Sequence, residues 1–265
     1  MHLKIQHVTS YRFEDPVRYG LQQVRKTPKT TPHQTVLSWS TEITGGRKEL
    51  AYEDHHNNTT ELIGIDRDTR ELDVTSGGEI AVRDTHGIVG PHRGPAPLWL
   101  YLRDSPRTEP REQVRRRARS LGQGSDLDRL HTLCGLIRDK VAYVAGSSEP
   151  TWSAEDALAD GRGVCQDHAH VFVASARHLG FPARYVSGYL MLDDTTDQTA
   201  MHAWTESFIE GLGWVGFDVS NGISPDARYV RVATGLDYSD ASPVTGMRVG
   251  GSTETLGVQI RVVQQ

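Results

Sequence analysis

A thiol, an imidazole and a carboxylate stand in that order along the second half of the chain, at Cys165, His202 and Asp218. A thiol is a weak nucleophile until a base removes its proton, and an imidazole that titrates near neutrality suits that work. The imidazole needs a further group to fix its tautomer and support its positive form, which a carboxylate does. Together the three could attack an amide or ester carbonyl and hold the acyl group as a thioester. Taken singly, each has a plainer reading: a buried cysteine at a helix start, a structural histidine, a turn or capping aspartate. Their order, and the elements that carry them, favour the chemical reading.

Gly161-Arg-Gly-Val-Cys165 is a glycine-flexed approach to a segment with helical period, in which Ala169, Phe172, Val173, Ala176 and Leu179 share one face. Gly180 and Pro182 end that helix. Cys165 is thereby expected at a helix N-terminus, where free N–H groups and the macrodipole favour a thiolate. Its own N–H could face a developing oxyanion, and Gly163 would permit close backbone approach. A strand over 184–192 and a polar loop over 193–199 follow. Residues 202–209 and 214–219 then read as two antiparallel strands. A loop centred on Glu210 would set His202 opposite Asp218, whereas a two-residue turn on Gly211-Leu212 would misplace it.

Residues near the three have candidate roles. Tyr143, Gln166, Asp167 and His168 are candidates for oxyanion donation or for support around the site, while His170 packs or caps. His168 and His170 are two apart and point to different sides of a helix, so they do not easily share a metal ion. His-Glu-x-x-His and paired Cys-x-x-Cys spacings are both missing from the sequence, and neither a metal nor a cofactor is expected. Trp204 and Trp214 flank the histidine and aspartate strands, either as core or as lining for an acyl-acceptor groove.

The elements that must hold these residues fall into two halves. Residues 1–100 read as β-rich, with alternation over 3–13 and 35–43. Two further short strands are expected over 71–75 and 79–84, separated at Gly77-Gly78. The clusters at 27–32 and 55–58 read as turns, His55-His-Asn-Asn58 as a solvated one. Residues 90–110, rich in proline and glycine, read as a linker or wrap. Leu127, Leu130, Leu133, Cys134, Ile137 and Val141 mark one buried helix face, N-capped by Ser125 or Asp126, with Cys134 an inert member of the stripe.

With 265 residues and a formal net charge of -5, the chain has the size of one large or two ordinary domains and no overall basic excess for nucleic acid. The basic run 111–119 reads as an exposed helix face or a linker rather than a phosphate-binding patch. Neither an export signal nor a membrane-spanning apolar run is legible, so a cytoplasmic protein with reduced thiols is expected.

Four ordered motifs resemble the core of the bacterial transglutaminase-like superfamily: Gly163-Val-Cys-Gln-Asp-His-Ala-His170, Gly180-Phe-Pro-Ala-Arg-Tyr-Val-Ser-Gly-Tyr189, His202-Ala-Trp-Thr-Glu206 and Gly213-Trp-Val-Gly-Phe-Asp218. The tail from Tyr229 to Asp240 is similar to that family's end. The opening, with Tyr11 and Pro16-Val17, is similar to its β-rich N-terminal region. The resemblance implies an α+β protein, with a β-rich domain over 1–100 and a papain-like catalytic domain over 101–265 that includes the C-terminal strands. It implies Cys165 as nucleophile, His202 as general base and acid, and Asp218 orienting His202. Asp218-Val-Ser-Asn-Gly222 stands where such proteins usually read Asp-Pro-Thr-Asn-Gly, and Gly235-Leu-Asp237 stands where Gly-Arg-Asp is usual. The first departure bears on the loop after Asp218, the second on any role of the missing arginine.

The expected reaction is ping-pong acyl transfer on a peptide or protein amide, resolved by water or by an amine acceptor. The competing expectation is a non-catalytic interaction module of the same fold.

Overall fold

The computed structural model describes residues 1–149, 151–250 and 253–265. Its organising element is β1 (His2–Val24), whose odd positions from Leu3 to Phe13 face inward and whose even positions face outward. Over its first half it lies between two long strands. One is β5, from His2↔Ala81 to Arg12↔Glu71; the other is β15, from Leu3↔Gln264 to Phe13↔Glu254. Both ladders lapse around Pro16, which lacks the N–H a ladder needs. Past Val17 the strand pairs instead with β14 and β4.

The eight-stranded sheet built this way contains β2 (Gln34–Thr44), β3 (Gly46–Glu53), β4 (Thr59–Ile65), β5 (Thr69–Val82), β10 (Asp197–Gln198), β14 (Val244–Gly250) and β15 (Glu254–Gln264) besides β1. The strands expected on either side of Gly77-Gly78 are one continuous strand, β5. The two glycines mark crowding rather than a turn, because β5 is flanked by both β1 and β2. A Cβ on Gly78 would lie 2.0 Å from the Ser38 carbonyl oxygen, and one on Gly77 2.7 Å from that of Ile5.

A second, five-stranded antiparallel sheet runs β13 (Tyr229–Gly235), β9 (Ala183–Leu190), β11 (His202–Ile209), β12 (Gly213–Phe217) and β6 (Ile88–Gly90). Residue 100 therefore does not separate the sheets. β6, from the first hundred residues, joins the second sheet, and β14 and β15, expected with the catalytic half, hydrogen-bond into the first. The chain is β-rich, with its helices concentrated in the middle: α1 (Glu112–Arg119), α2 (Asp126–Lys140), α3 (Ala154–Asp160) and α4 (Cys165–His178), then the short α5 (Tyr238–Ala241).

The Ser125 side chain caps α2 by accepting from the Asp128 N–H, and the expected stripe is buried at Leu130, Leu133, Cys134 and Ile137. Cys134 sits in that core with its thiol pKa pushed up by burial. These residues pack with Val171 and Phe172 of α4 and with Val215 and Phe217 of β12. Each fully buried aliphatic side chain there contributes about 1.5–3 kcal/mol. α1 buries Val114 and Ala118, and its last turn carries Arg116, Arg117 and Arg119. A separate cluster joins the sheets, with Leu3, Ile5, Ile80, Val82, Ile260 and Val262 against Tyr185, Tyr189, Val230 and Val232.

Residues 90–110 wrap between the sheets through a short 3-10 turn, Leu98–Leu102, that buries Tyr101. The buried Arg177 of α4 fixes this segment, donating to the Tyr101, Ala183 and Leu236 carbonyls and to Thr108. The turn at 55–58 is not the solvated one expected. His56 is buried, accepting from the Tyr101 hydroxyl and donating to Asp240, and Asn58 is buried against the backbone of Thr234. Among the described residues no helix is long and apolar enough to cross a membrane.

Candidate active site

Cys165 is the first residue of α4, half-buried, after an extended Val164. The first-turn N–H groups of a helix lack intrahelical acceptors. Here Asp167, at the third helical position, turns back to accept from the Val164 N–H at 2.8 Å and takes a second bond from the Ser148 hydroxyl at 3.0 Å. The space beside Gly163 is taken by this side chain: a Cβ on Gly163 would meet the Asp167 Cβ at 2.8 Å. That glycine makes room for the cap. Burial raises the Asp167 pKa.

His202 begins β11, opposite Gly188 of β9. Its Nε2–H donates to Asp218 Oδ2 at 2.7 Å. The hairpin register runs from Ile209↔Gly213 to Thr205↔Phe217, so the loop centres on Gly211 rather than Glu210. His202 and Asp218 keep the same parity but sit on a diagonal, two residues out of direct opposition. Diagonal neighbours on one face remain within reach of long side chains.

Asp218 is fully buried just past β12, where the chain turns tightly and Asp218 N–H donates to the Ile223 carbonyl. Its carboxylate also accepts from the Tyr229 hydroxyl at 2.7 Å, the Asn221 side-chain amide at 2.7 Å and the Asn221 N–H at 3.2 Å. Burial works against the charged carboxylate, yet these bonds and the charge of His202 outweigh it and hold the pKa below its usual range. Burial likewise works against a charged His202. Hydrogen bonds to Asp218 on one side and Cys165 on the other overcome it and push the ring up to about 10. With Nε2 committed to Asp218, Nδ1 is the nitrogen left for the thiol.

The other candidates divide. His168 is buried, donating from Nε2 to the Val141 carbonyl at 2.9 Å and accepting at Nδ1 from the Ser220 hydroxyl at 2.9 Å. It thereby pins the loop after Asp218 to the end of α2, and burial lowers its pKa. His170 faces elsewhere, accepting the Tyr238 N–H at the start of α5. Gln166 lies beside Cys165 along the cleft described below. Tyr143 belongs to β7 (Ala142–Tyr143), which pairs in parallel with β8 (Arg162–Gly163) just ahead of the cysteine. Its ring is 6.1 Å from that of His168, and partial burial together with nearby Cys165 and Asp218 raises its phenol.

Neither tryptophan borders the cleft. Trp204 is buried and stacks on the His202 ring at 6.2 Å, edge-on to Tyr229. Trp214 lies in a different cluster, with the Arg184 guanidinium 3.9 Å over its ring and its Nε1–H donating to His92. Sequence reasoning missed Tyr229, Asn221 and Ser220 as contributors. Only Asn221 left a signal, as an asparagine directly before Gly222, a pair that favours a turn.

Cys165 and His202 open onto a cleft of about 260 Å³ at the seam between the sheets. Its opposite wall comes from His7, Thr9 and Tyr11 of β1 and from Leu256 and Val258 of β15.

Comparison with known proteins identifies the family. Residues 115–219 match the transglutaminase-like superfamily core, and residues 3–81 match the bacterial transglutaminase-like N-terminal region. An uncharacterized Mycobacterium leprae protein is 25% identical over 281 residues, covering 99% of this chain and 98% of its own length. An uncharacterized Mycobacterium tuberculosis protein is 26% identical over 271 residues, covering 92% of this chain and 86% of that one. A solved structure of a Cytophaga hutchinsonii protein, named provisionally as a cysteine protease, shares the fold with a TM-score of 0.80 at 20% identity, over 99% of this chain and 90% of that one. The chain belongs to the transglutaminase-like superfamily, its core preceded by the bacterial N-terminal region of that family.

Proposed function

We propose that the protein is a cysteine-dependent acyl-transfer enzyme acting on a peptide or protein amide. The observation that carries this reading is the 2.7 Å bond between His202 Nε2 and Asp218 Oδ2, with the other side of the ring turned to Cys165 at a helix N-terminus.

In the proposed cycle the Cys165 sulfur attacks the carbonyl carbon, and the carbonyl electron pair moves onto oxygen. The Cys165 N–H, with Gln166 or Tyr143 beside it, faces that oxyanion. When the carbon–nitrogen bond breaks, His202 gives its Nδ1 proton to the leaving amine and a thioester remains. Water or a second amine then attacks, with His202 taking its proton, and the thiol is released. A general base in this role supplies about 10²–10⁴ in rate. Asp218 keeps the ring oriented throughout, and Asp167 and His168 brace the two segments that carry the cysteine and the aspartate.

The test is mass spectrometry of protein mixed with activated esters and with glutamine-containing peptides. A burst of leaving group with an acyl adduct on Cys165, lost in Cys165→Ala, is the expected result. Deacylation with and without added amine then separates transfer from hydrolysis. A protein that forms no adduct with any of them would be the interaction module of the same fold.

A further inference from the structure

Behind the wall facing Cys165 lies a buried cation with an unusual set of partners. Lys26 is fully buried, and its ammonium donates to Thr9 Oγ1 and, at 3.4 Å, to the Val74 carbonyl. Among the described residues no carboxylate stands within ion-pair distance of it. Glu61, the acid that bears on it most, is engaged with Lys48 and with the hydroxyls of Thr41 and Thr27.

Donor counting fixes the rest. An ammonium only donates, so Thr9 accepts from Lys26 and gives its own proton to His7 Nε2 at 3.2 Å. His7 is then protonated at Nδ1, donating to the Tyr189 hydroxyl at 3.1 Å, and Tyr189 donates to the Lys26 carbonyl at 3.3 Å. The chain of bonds closes on the residue where it started. His7 is neutral in it, consistent with burial and Lys26 together holding its pKa well below the usual value. His7 and Thr9 are also wall residues of the cleft that holds Cys165 and His202.

A buried charge without a counter-ion is costly, and an anion arriving in a low-dielectric cleft beside it is held far more strongly than in water. We propose that the cleft selects an acyl donor carrying a carboxylate next to the reacting carbonyl, held against the Thr9–His7 wall by the charge of Lys26. This rests on the acyl-transfer reading above and names the substrate class for it. Lys26 is a specificity-determining residue in this account. It takes no part in bond making.

Two alkylating reagents of nearly equal size test the idea: iodoacetate, which carries the carboxylate, and iodoacetamide, which does not. Both consume the same thiolate, so the ratio of their rates at Cys165 cancels its protonation and reads charge recognition alone. Lys26→Met is expected to lower the iodoacetate-to-iodoacetamide ratio by about tenfold, the scale of one charge acting across about 12 Å at an effective dielectric near 20. The unmodified protein gives a second reading that needs no variant to fold. Burial pulls the Lys26 ammonium down to about 7, with Glu61 opposing, so the ratio falls as pH rises through that value. The groups facing Lys26 are His7, Glu61 and Tyr189; His7 stays neutral and Tyr189 stays protonated over that interval.

Protection of Cys165 from iodoacetamide by N-acetylglutamate α-amide, N-acetylalanine or N-acetylalanine amide distinguishes a side-chain carboxylate from a terminal one, with the neutral amide weakest. A ratio that is flat with pH and unchanged in Lys26→Met would overturn the proposal. Slow reaction of Cys165 with both reagents would instead count against the acyl-transfer reading, while their ratio still reports on the wall.

Discussion

His202 and Asp218 meet at 2.7 Å although the register of their hairpin sets them two residues apart along the strands. The pairing tolerates the offset because the aspartate lies just past the end of β12, where the chain turns and the carboxylate is aimed back by Tyr229 and Asn221. Position in the ladder brings the two residues to one face, and the turn supplies the remaining reach.

The imidazolium of His202 is expected to persist to about pH 10 in the folded protein, read by NMR of labelled histidine rings. Its folded pKa is raised, so the stability it contributes is fully present below about 6.5 and is lost as pH climbs through the folded value. Asp218→Asn and Cys165→Ala should each bring the titration down towards the ordinary histidine range. A wild-type ring that titrates near neutrality would contradict the ion-pair geometry.

Tyr229→Phe removes one of the bonds to the Asp218 carboxylate while keeping the ring that packs on Trp204. A hydrogen bond to a charged group is worth about 1.5–3 kcal/mol, so acylation should slow by about ten- to a hundred-fold. Stopped-flow acylation checks this, and an unchanged rate would remove Tyr229 from the support of Asp218.

His168→Leu keeps the bulk but gives up the bonds to Val141 and Ser220. Leaving the buried Val141 carbonyl unpaired costs about 1–3 kcal/mol. Denaturant titration should show that loss, and hydrogen exchange should quicken between residues 218 and 223. Quickening confined to other segments would mean that the histidine does not pin this loop.

Glu206 lies on β11 four residues beyond His202, buried between Arg184 and Arg231. Burial opposes its ionisation, and the two guanidinium groups overcome this and lower its pKa. Its contribution to stability is therefore present above about pH 4.3 and lost as pH falls through the folded value. Glu206→Gln leaves two buried cations without a counter-ion, and a loss of about 3–5 kcal/mol is expected in urea at neutral pH. The variant should also be less sensitive to acid than wild type.

Much of this was legible because the signals were local. Gly180 and Ser125 mark helix boundaries through their own backbone and side-chain preferences, and α2 and α4 follow from a 3.6-residue period. The shared parity of His202 and Asp218 needs only two adjacent strands. What was hidden depends on distant segments. Gly77 and Gly78 look like a turn until β1 and β2 are known to press on both sides of β5. His55-His-Asn-Asn58 looks solvated until Tyr101 and Asp240 arrive from far along the chain. In β1 the residue types at 7, 8 and 9 invert the alternation, polar inside at His7 and Thr9, and only the cleft behind them explains it.

The pairing of β1 with β15 has a kinetic side. Leu3 and Gln264 are ladder partners across nearly the whole length of the chain, the kind of contact that forms late because so much chain must be ordered before it is rewarded. Residues 115–219, by contrast, contain the cysteine, the histidine and the aspartate within one stretch and need no such closure to meet. During synthesis His7, Thr9 and Lys26 are made before the reactive sulfur, whereas Leu256 and Val258 on the same side of the cleft are made after it. A half-made molecule would hold its blade and most of its sheath with one seam still open, and closing β15 along β1 would be the last stitch.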